Sequence, residues 1–165
     1  SYPMKGTLDA ALPNAQQVLL NDEKEIAEHV TIVDLIRNDL STVAEHVKVN
    51  RFRYVQEVRS RERTLLQVSS EIEGVLREEY RFAVGDLLEA LLPSGSVSGA
   101  PKEKTVKIIA EAEGEPRGYY TGVCGYFDGQ HLDSGVMIRF IEQRGNDFYY
   151  RSGGGITTQS EVGKE

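Results

Sequence analysis

The sequence predicts an α+β fold, in which helices flank an antiparallel sheet, from three kinds of segment. In residues 22–40 the apolar side chains recur at three- and four-residue steps, which is the spacing of an amphipathic helix. Residues 46–50, 52–58 and 65–76 alternate in polarity or are rich in β-branched and aromatic side chains, as strands are. An Asp-Gly pair at 128–129 separates two further strand-like runs and favours a hairpin turn. We therefore expect an antiparallel meander with helices outside it.

The remaining elements follow from turn and cap residues. Residues 1–13 contain two prolines and a glycine and are predicted to form a loop. The helical pattern begins near Asn14 and is predicted to run as one long helix that ends at residues 38–39. The other predicted elements are helices at Val84–Leu92 and Pro101–Glu113, the latter ended by Gly114, and strands at Tyr119–Phe127, Leu132–Glu142 and Asp147–Arg151.

Composition excludes several classes of protein. The 165 residues are 39% hydrophobic and 27% charged, which is typical of a soluble globular domain with one core. A formal charge of −7 argues against a nucleic-acid surface, and no apolar run reaches the ~20 residues of a membrane-spanning helix.

Cys124 is the only cysteine, so an internal disulfide is excluded, and we expect it to be buried in a strand. No export signal is visible, and the expected location is the cytoplasm.

The chain is predicted to be one domain, residues 1–165, incomplete at both ends. It opens without an initiator methionine and closes where a new helical pattern begins. It holds no internal repeat, linker or low-complexity segment. We therefore interpret it as part of a longer domain.

Acidic residues recur on two predicted helix faces. Helical spacing places Asp22, Glu25 and Glu28 on one face, one turn apart. Glu161 and Glu165 stand four residues apart in the final predicted helix. Such rows are either ordinary solvated faces or parts of a magnesium site, because Mg²⁺ prefers carboxylate and water oxygens.

The segment Leu91–Lys104 combines glycines, small hydroxyls and a helix start. Gly95 and Gly99 allow close approach of backbone N–H groups, and Ser96 and Ser98 can direct hydroxyls toward a ligand. The segment is either a cradle for an anion or a plain loop between two helices.

Three further features have both a functional and a structural interpretation. The glycines at 153–155 follow a strand and either expose backbone to a ligand or form a flexible turn. Arg139 is predicted on a strand among apolar residues, as a buried clamp or a structural ion pair. Gln67 stands among apolar strand residues and needs a hydrogen-bond partner if it is buried. The two acidic faces, the segment Leu91–Lys104, the glycines at 153–155 and the basic Lys5 and Arg139 together favour a metal-dependent enzyme that acts on a small polyanionic molecule.

Five motifs, in order and spread over the whole chain, carry a resemblance to a known family. They are Pro-Met-Lys-Gly-Thr at 3–7, Glu-Ile-Ala-Glu-His followed by Val-Asp-Leu-Ile-Arg-Asn-Asp at 25–39, Ser-Val-Ser-Gly-Ala-Pro-Lys at 96–102, Arg-Gly-Tyr-Tyr-Thr-Gly at 117–122, and Ser-Gly-Gly-Gly-Ile at 152–156. With them the chain resembles the C-terminal part of the chorismate-utilising enzymes. The resemblance implies a complex antiparallel β-sandwich core with flanking helices and chorismate bound in a central cleft.

The resemblance also implies a reaction. Aminodeoxychorismate synthases have lysine at the position that matches Lys5, whereas anthranilate synthases have alanine. The expected reaction is therefore chorismate plus ammonia to 4-amino-4-deoxychorismate, with Mg²⁺ as cofactor and a glutamine amidotransferase subunit as the source of ammonia. The alternatives are an anthranilate synthase, or a non-catalytic fragment that binds chorismate or a partner.

Residue roles are carried over from the family position by position. Lys5 is expected to be the nucleophile, which requires its unprotonated amine, and Ser96 supplies a hydroxyl beside the substrate. Gln67 stands where many members have histidine, and it cannot exchange a proton. The other expected site residues are Glu25, Glu28 and Glu165 for the metal, Tyr120 and Arg139 for a substrate carboxylate, Gly153, Gly154 and Gly155 as a glycine-rich backbone beside the substrate, and Gly6 and Thr7 in the nucleophile loop.

Overall fold

The computed structural model describes residues 1–157 and 160, and its elements are those of an α+β protein. The chain divides into two units, Ser1–Leu91 and Leu92–Glu165. The first unit contains a three-stranded sheet with helices, and the described residues of the second form two hairpins and two helices. The single domain expected over residues 1–165 stays a prediction.

In the unit Ser1–Leu91 a central strand pairs with one neighbour on each side. The elements are β1 (Met4–Asp9), α1 (Ala15–Asn21), α2 (Glu23–Val43), β2 (Ala44–Arg59), β3 (Thr64–Leu76), a 3₁₀ turn (Glu78–Tyr80) and α3 (Val84–Leu91). The strand order is β1-β3-β2, and both pairings are antiparallel. The predicted strands at 46–50 and 52–58 are joined in one strand, β2, whose register shifts against β3 at several points. The predicted loop at 1–13 is wrong in part, because β1 lies within it.

The predicted long helix is in fact two helices, because the backbone at Asp22 is extended, with φ −68° and ψ 112°. The Asp22 carboxylate accepts a hydrogen bond from the Glu25 N–H at 3.0 Å and caps the start of α2. The predicted end at residues 38–39 is also wrong. The helix continues to Val43, whose complete burial outweighs the weak helix propensity of Asn-Asp.

Strand β3 forms the floor of a small apolar core. Leu66 and Val68 pack with Ala15 and Leu19 of α1 in one buried cluster. Because side chains alternate along a strand, the even-numbered residues of β3 share this face, and Ile72 farther along is only 1% exposed. Each such fully buried side chain stabilises the fold by about 1.5–3 kcal/mol.

A β-bulge in β1 sets the direction of the residues around it. Lys5 is opposite Val68 and Thr7 is opposite Gln67, so Gly6 is one extra residue in the ladder. Its φ of +78° lies in the left-handed region that favours glycine. A bulge of this kind shifts the alternation of the strand by one residue.

The unit Leu92–Glu165 is built from short elements. They are α4 (Gly95–Ser98), α5 (Lys102–Glu113), β4 (Val123–Phe127), β5 (Leu132–Val136), β6 (Ile141–Arg144) and β7 (Asp147–Tyr150). Strand β4 pairs with β5 and β6 with β7, both antiparallel, so among the described residues the expected meander is two separate hairpins. Gly114, at φ +66°, ends α5 as predicted. No helix in the described part of the chain is long and apolar enough to cross a membrane.

Two of the predicted strands in this unit are too long. Residues 119–122 form a turn closed by the Gly122 N–H on the Tyr119 carbonyl at 3.0 Å, and the strand begins only at Val123. The predicted strand Leu132–Glu142 is interrupted after Val136 by a bend. The Thr121 and Met137 N–H groups still donate across this pair, to the Met137 and Gly122 carbonyls at 2.9 Å each, and the turn and the bend end the strands there.

Two burial predictions fail in this unit, each for its own reason. Arg139 lies in the bend between β5 and β6, and its side chain is exposed rather than a buried clamp on a strand. Cys124 is in a strand as predicted, but it is exposed. Among the described residues, neither hairpin is covered on both faces, so position in a strand does not bring burial here.

Candidate active site

The first turns of α2 place acidic side chains beside strand β1. The Lys5 Nζ donates to the Glu28 Oε2 at 2.5 Å. The Lys5 side chain is 31% exposed and that of Glu28 is 15% exposed. A partly buried, directly hydrogen-bonded pair is stronger than a solvated surface pair. Two predicted site residues, distant in sequence, are therefore in contact.

Glu25 lies one helical turn before Glu28 and faces the bulge. Its Oε2 is buried and has no hydrogen-bond partner among the described residues. A Cβ added to Gly6 would stand 3.1 Å from this oxygen, so the strand approaches the carboxylate closely. Burial raises the pKa of the Glu25 carboxyl, and the Glu28 charge raises it further, while Lys5 opposes both. An unpaired buried acceptor is unfavourable until a donor or a cation satisfies it.

The residues present fit part of a magnesium site. Glu25 and Glu28 offer two adjacent carboxylates, which are the ligands that Mg²⁺ prefers. The open Oε2 of Glu25 is an acceptor without a donor in the described chain. The residues that the structure describes contain no group of three or more His, Cys, Asp or Glu side chains arranged around a metal position. Glu165, the third expected ligand, and Glu161 lie outside the described residues.

Gln67 and Thr7 lie on the other side of β3 from this acidic pair. Gln67 is opposite Thr7 in the ladder, and its Nε2 donates to the Thr7 Oγ1 at 3.4 Å. Since Val68 points into the core beside α1, its neighbour Gln67 points to the opposite face. Gln67 is half-buried and has the hydrogen-bond partner that the sequence required. The structure therefore does not bring Gln67 to the Lys5 amine.

Sequence reasoning missed His29, which fixes α2 against the sheet. His29 is 1% exposed, and its Nε2 lies 2.7 Å from the Ser70 Oγ of β3. The ring meets Phe52 edge-on, with 5.9 Å between centroids. Burial and, secondarily, the Arg53 charge lower the pKa of His29 to about 4, so the ring is neutral near pH 7. Its position three residues after Ile26 and four before Val33, on the apolar stripe of the helix, was the available signal.

In the unit Leu92–Glu165 the serines of the predicted cradle bond within their own segment. Ser94 and Ser96 hydroxyls lie 2.9 Å apart, and the buried Ser98 hydroxyl donates to the Ser94 carbonyl at 2.9 Å. The segment is a short helix, Gly95–Ser98, rather than an open loop. The Ser96 hydroxyl can bind a ligand if it gives up its hydrogen bond to the Ser94 hydroxyl.

The structure places Gly153, the first residue of the triple glycine, beside Tyr120. A Cβ added to Gly153 would stand 2.5 Å from the Tyr120 Oη, so a larger residue there would have to displace the tyrosine hydroxyl. Arg117 makes two hydrogen bonds to Glu113, at 2.8 and 2.6 Å, and lies over the Tyr120 ring at 5.5 Å. Arg117 was not predicted as a site residue, and its guanidinium packs on the ring of this tyrosine.

Comparison with known proteins identifies the family. A family model described as chorismate binding enzyme matches residues 1–165. The chain belongs to the chorismate binding enzyme family. The crystal structure of anthranilate synthase component I from Streptococcus pneumoniae TIGR4 has a TM-score of 0.64 and 38% identity, covering 76% of this chain and 28% of that chain. The predicted α+β antiparallel fold of this family is confirmed.

Relatives in the chorismate binding enzyme family are longer than this chain. An uncharacterized PabA-like protein of Pasteurella multocida is 58% identical over 165 residues, which are all of this chain and 51% of that protein. Aminodeoxychorismate synthase component 1 of Bacillus subtilis is 37% identical over 155 residues, which are 92% of this chain and 31% of that protein. The chain thus spans about half of the first relative and less than a third of the second.

Proposed function

We propose that the protein containing this chain makes 4-amino-4-deoxychorismate from chorismate and ammonia, on the route to para-aminobenzoate and folate. Membership of the chorismate binding enzyme family supports chorismate as the substrate. The observation that carries the finer assignment is the contact of Lys5 with Glu28, since it brings the expected nucleophile to the expected metal carboxylates. Similarity to an aminodeoxychorismate synthase component 1 supports it further.

Lys5 is the proposed nucleophile. Its neutral amine forms a bond to a ring carbon of chorismate while the 4-hydroxyl leaves as water, carrying the proton that the amine loses. Ammonia then forms the new carbon–nitrogen bond, the bond to Lys5 breaks, and the amine regains a proton. The bulge at Gly6 favours this role, because it directs Lys5 to the α2 side of the sheet.

Glu28 and Glu25, with Glu165, are the proposed holders of a magnesium ion. When bound, such an ion neutralises the acidic side chains and a carboxylate of the substrate. Glu25 suits this role because its buried oxygen has no donor in the described chain. The Lys5 ammonium is bonded to Glu28 in this structure, so this carboxylate would have to exchange that partner for the ion.

The remaining expected residues are proposed to bind and orient chorismate. Tyr120 and the backbone of Gly153, Gly154 and Gly155 would hold a carboxylate, and the exposed Arg139 is free to turn toward it. Ser96 would offer its hydroxyl to the substrate. Gln67 and Thr7 would act only by hydrogen bonding, since neither side chain exchanges protons near pH 7. Ammonia would come from a glutamine amidotransferase subunit.

Anthranilate synthesis is the second candidate, and one observation favours it. The anthranilate synthase component I of known structure is as similar to this chain as the aminodeoxychorismate synthase relative, at 38% against 37% identity. Lys5 argues against it, because the resemblance places alanine there in anthranilate synthases. A non-catalytic role in binding chorismate is the third candidate, and membership of the chorismate binding enzyme family supports recognition of chorismate there as in the other two.

Product analysis tests these candidates in the whole protein. With chorismate, ammonium and Mg²⁺, we expect chorismate to disappear and para-aminobenzoate to form only after an aminodeoxychorismate lyase is added. Anthranilate without added lyase would contradict the proposal in favour of the second candidate. Unchanged chorismate would support the binding role.

The variant Lys5→Ala tests the nucleophile. Loss of the amine should lower the turnover number by at least about a hundredfold while chorismate binding stays measurable by calorimetry. Lys107→Ala is the control, because Lys107 forms an exposed i,i+4 pair with Glu103 on α5. Near-normal turnover in Lys5→Ala would exclude covalent attack by this residue.

A further inference from the structure

We infer that Lys5 is the resident counter-ion of Glu28, and that its ammonium must leave this carboxylate before a divalent cation can bind there. The inference rests on the proposed function, since it concerns the carboxylates proposed to hold magnesium. It adds an order of events, in which occupation of the metal position releases the proposed nucleophile from its ion pair.

The first step of the argument is the occupancy of Glu28. The Lys5 Nζ lies 2.5 Å from Oε2, at direct hydrogen-bond distance. A magnesium ion would need to stand ~2.1 Å from a carboxylate oxygen. Two cations on one oxygen would lie within a few ångströms of each other, in a site where Glu28 is only 15% exposed. Water screens such repulsion poorly in a partly buried site, so the two cations compete for this oxygen.

The second step is the freedom of Lys5 to move. The backbone of Lys5 is held in the ladder opposite Val68, so β1 itself stays in place. The side chain is 31% exposed and has four rotatable carbon–carbon bonds, which let the ammonium swing away without refolding of the strand. The end of the side chain is therefore the part that changes partners.

Lys24 offers a contrast on the same carboxylate. Its Nζ is 3.8 Å from the Glu28 Oε1, and its side chain is 45% exposed. It is an i,i+4 neighbour on the helix surface, a type of pair that contributes little and is well screened. Lys24 therefore supplies a nearby positive charge without occupying the ligand position.

Direct cation binding to the whole protein, without substrate, separates these roles. Mg²⁺ is titrated calorimetrically into the wild type, Lys5→Met and Lys24→Met, since methionine keeps length and removes charge. We expect Lys5→Met to tighten binding on the order of tenfold, because a charged hydrogen bond no longer competes. Lys24→Met should change it by less than about twofold. Lys5→Arg, which keeps the charge, should stay close to the wild type.

The outcomes are distinguishable. Unchanged or weaker Mg²⁺ binding in Lys5→Met overturns the inference, as does equal tightening in Lys5→Met and Lys24→Met, which would mean a general field effect. Lys5→Gln repeats the test if Lys5→Met lacks the wild-type circular dichroism spectrum. Absence of Mg²⁺ binding in both wild type and Lys5→Met overturns the inference together with the proposed metal site. If Lys5→Met binds Mg²⁺ more tightly but the wild type forms no aminodeoxychorismate, the proposed function is contradicted and the inference is not.

Discussion

Gly6 combines a backbone conformation that favours glycine with close packing against a residue of the candidate site. It has a φ of +78°, and an added Cβ would stand 3.1 Å from both the Glu25 Oε2 and the Leu19 Cδ1. Any side chain would strain the backbone and push against a buried carboxylate and the core at once. The glycine therefore permits β1 to approach α1 and α2 closely.

The variant Gly6→Ala should lower the free energy of unfolding by about 2 kcal/mol or more, since strain and crowding add. Urea denaturation followed by circular dichroism measures it. Gly118→Ala is the matched control: Gly118 has a φ of +62° with nothing within 4 Å, so strain acts there without crowding. An equal decrease in the free energy of unfolding in the two variants would mean that close packing at Gly6 adds nothing to the cost of the substitution.

For single residues, the sequence predicts which residue types belong to the candidate site, but it does not predict which of them are in contact. Lys5, Glu25 and Glu28 could be named from motif and helical spacing. That Lys5 meets Glu28 while Gln67 points to the opposite face follows from the bulge. A one-residue shift in register exchanges the two faces of a strand, and no local pattern reports it.

Helix α2 is the element that carries the acidic pair, and His29 attaches it to β3. His29 immediately follows Glu28, and its Nε2 lies 2.7 Å from the Ser70 hydroxyl, which also accepts the Arg53 N–H at 3.0 Å. Because the ring is buried, any rotation of α2 would break this bond and move both carboxylates. A neutral histidine, one residue after Glu28 and four after Glu25, thus positions both acids.

The buried histidine predicts a pH dependence of stability. In the unfolded chain His29 has its ordinary pKa of 6.5, and in the folded chain it has one of about 4. Between these values the unfolded state binds more protons, so stability falls as pH falls. From pH 7 to pH 5, His29 should lower the free energy of unfolding by about 2 kcal/mol. Urea denaturation at the two pH values measures this loss.

The variant His29→Gln isolates that loss, because glutamine keeps a hydrogen-bonding group but does not titrate. Its free energy of unfolding should change less between pH 7 and pH 5 than that of the wild type. His131→Gln is the control, since His131 is 83% exposed and its removal leaves His29 in place. A wild-type decline in His29→Gln would show that other groups cause it.

Helix and strand boundaries were predictable where a local signal ends the element. Gly114 ended α5 as expected, through its left-handed backbone. Asp22 divided the predicted helix because it caps α2, and Val43 extended that helix because it is buried. Capping and burial compete with periodicity, and burial is a property of the packed chain.

At the scale of the whole molecule, the buried side chains of the described residues are concentrated in the unit Ser1–Leu91 with its three-stranded sheet. Strand β3 pairs on both sides and contains residues with 0–1% exposure, such as Val68 and Ser69. Strands β6 and β7 pair only with each other among the described residues, and their Ile141 and Phe148 are each 69% exposed. An uncovered two-stranded hairpin is marginally stable in water.

Hydrogen exchange of the 165-residue chain should reflect this difference. We expect the amides of β3 to exchange on the order of a hundredfold more slowly than those of β6 and β7, because opening the buried strand needs a larger free energy. Mass spectrometry of peptic peptides measures both, with the β4–β5 hairpin as an internal comparison. Equal protection of β3 and β7 would contradict the inferred distribution of stability.

The sequence alone determined the α+β class, the family resemblance and the residue types of the candidate site, because periodicity, turn chemistry and motifs are local. Only the tertiary structure decided that Lys5 and Glu28 are in contact, that Gln67 faces away from them, and that Arg139 is exposed. Those facts depend on strand register and on which surfaces are covered. Both arise from contacts between residues far apart in the chain, which a local pattern does not contain.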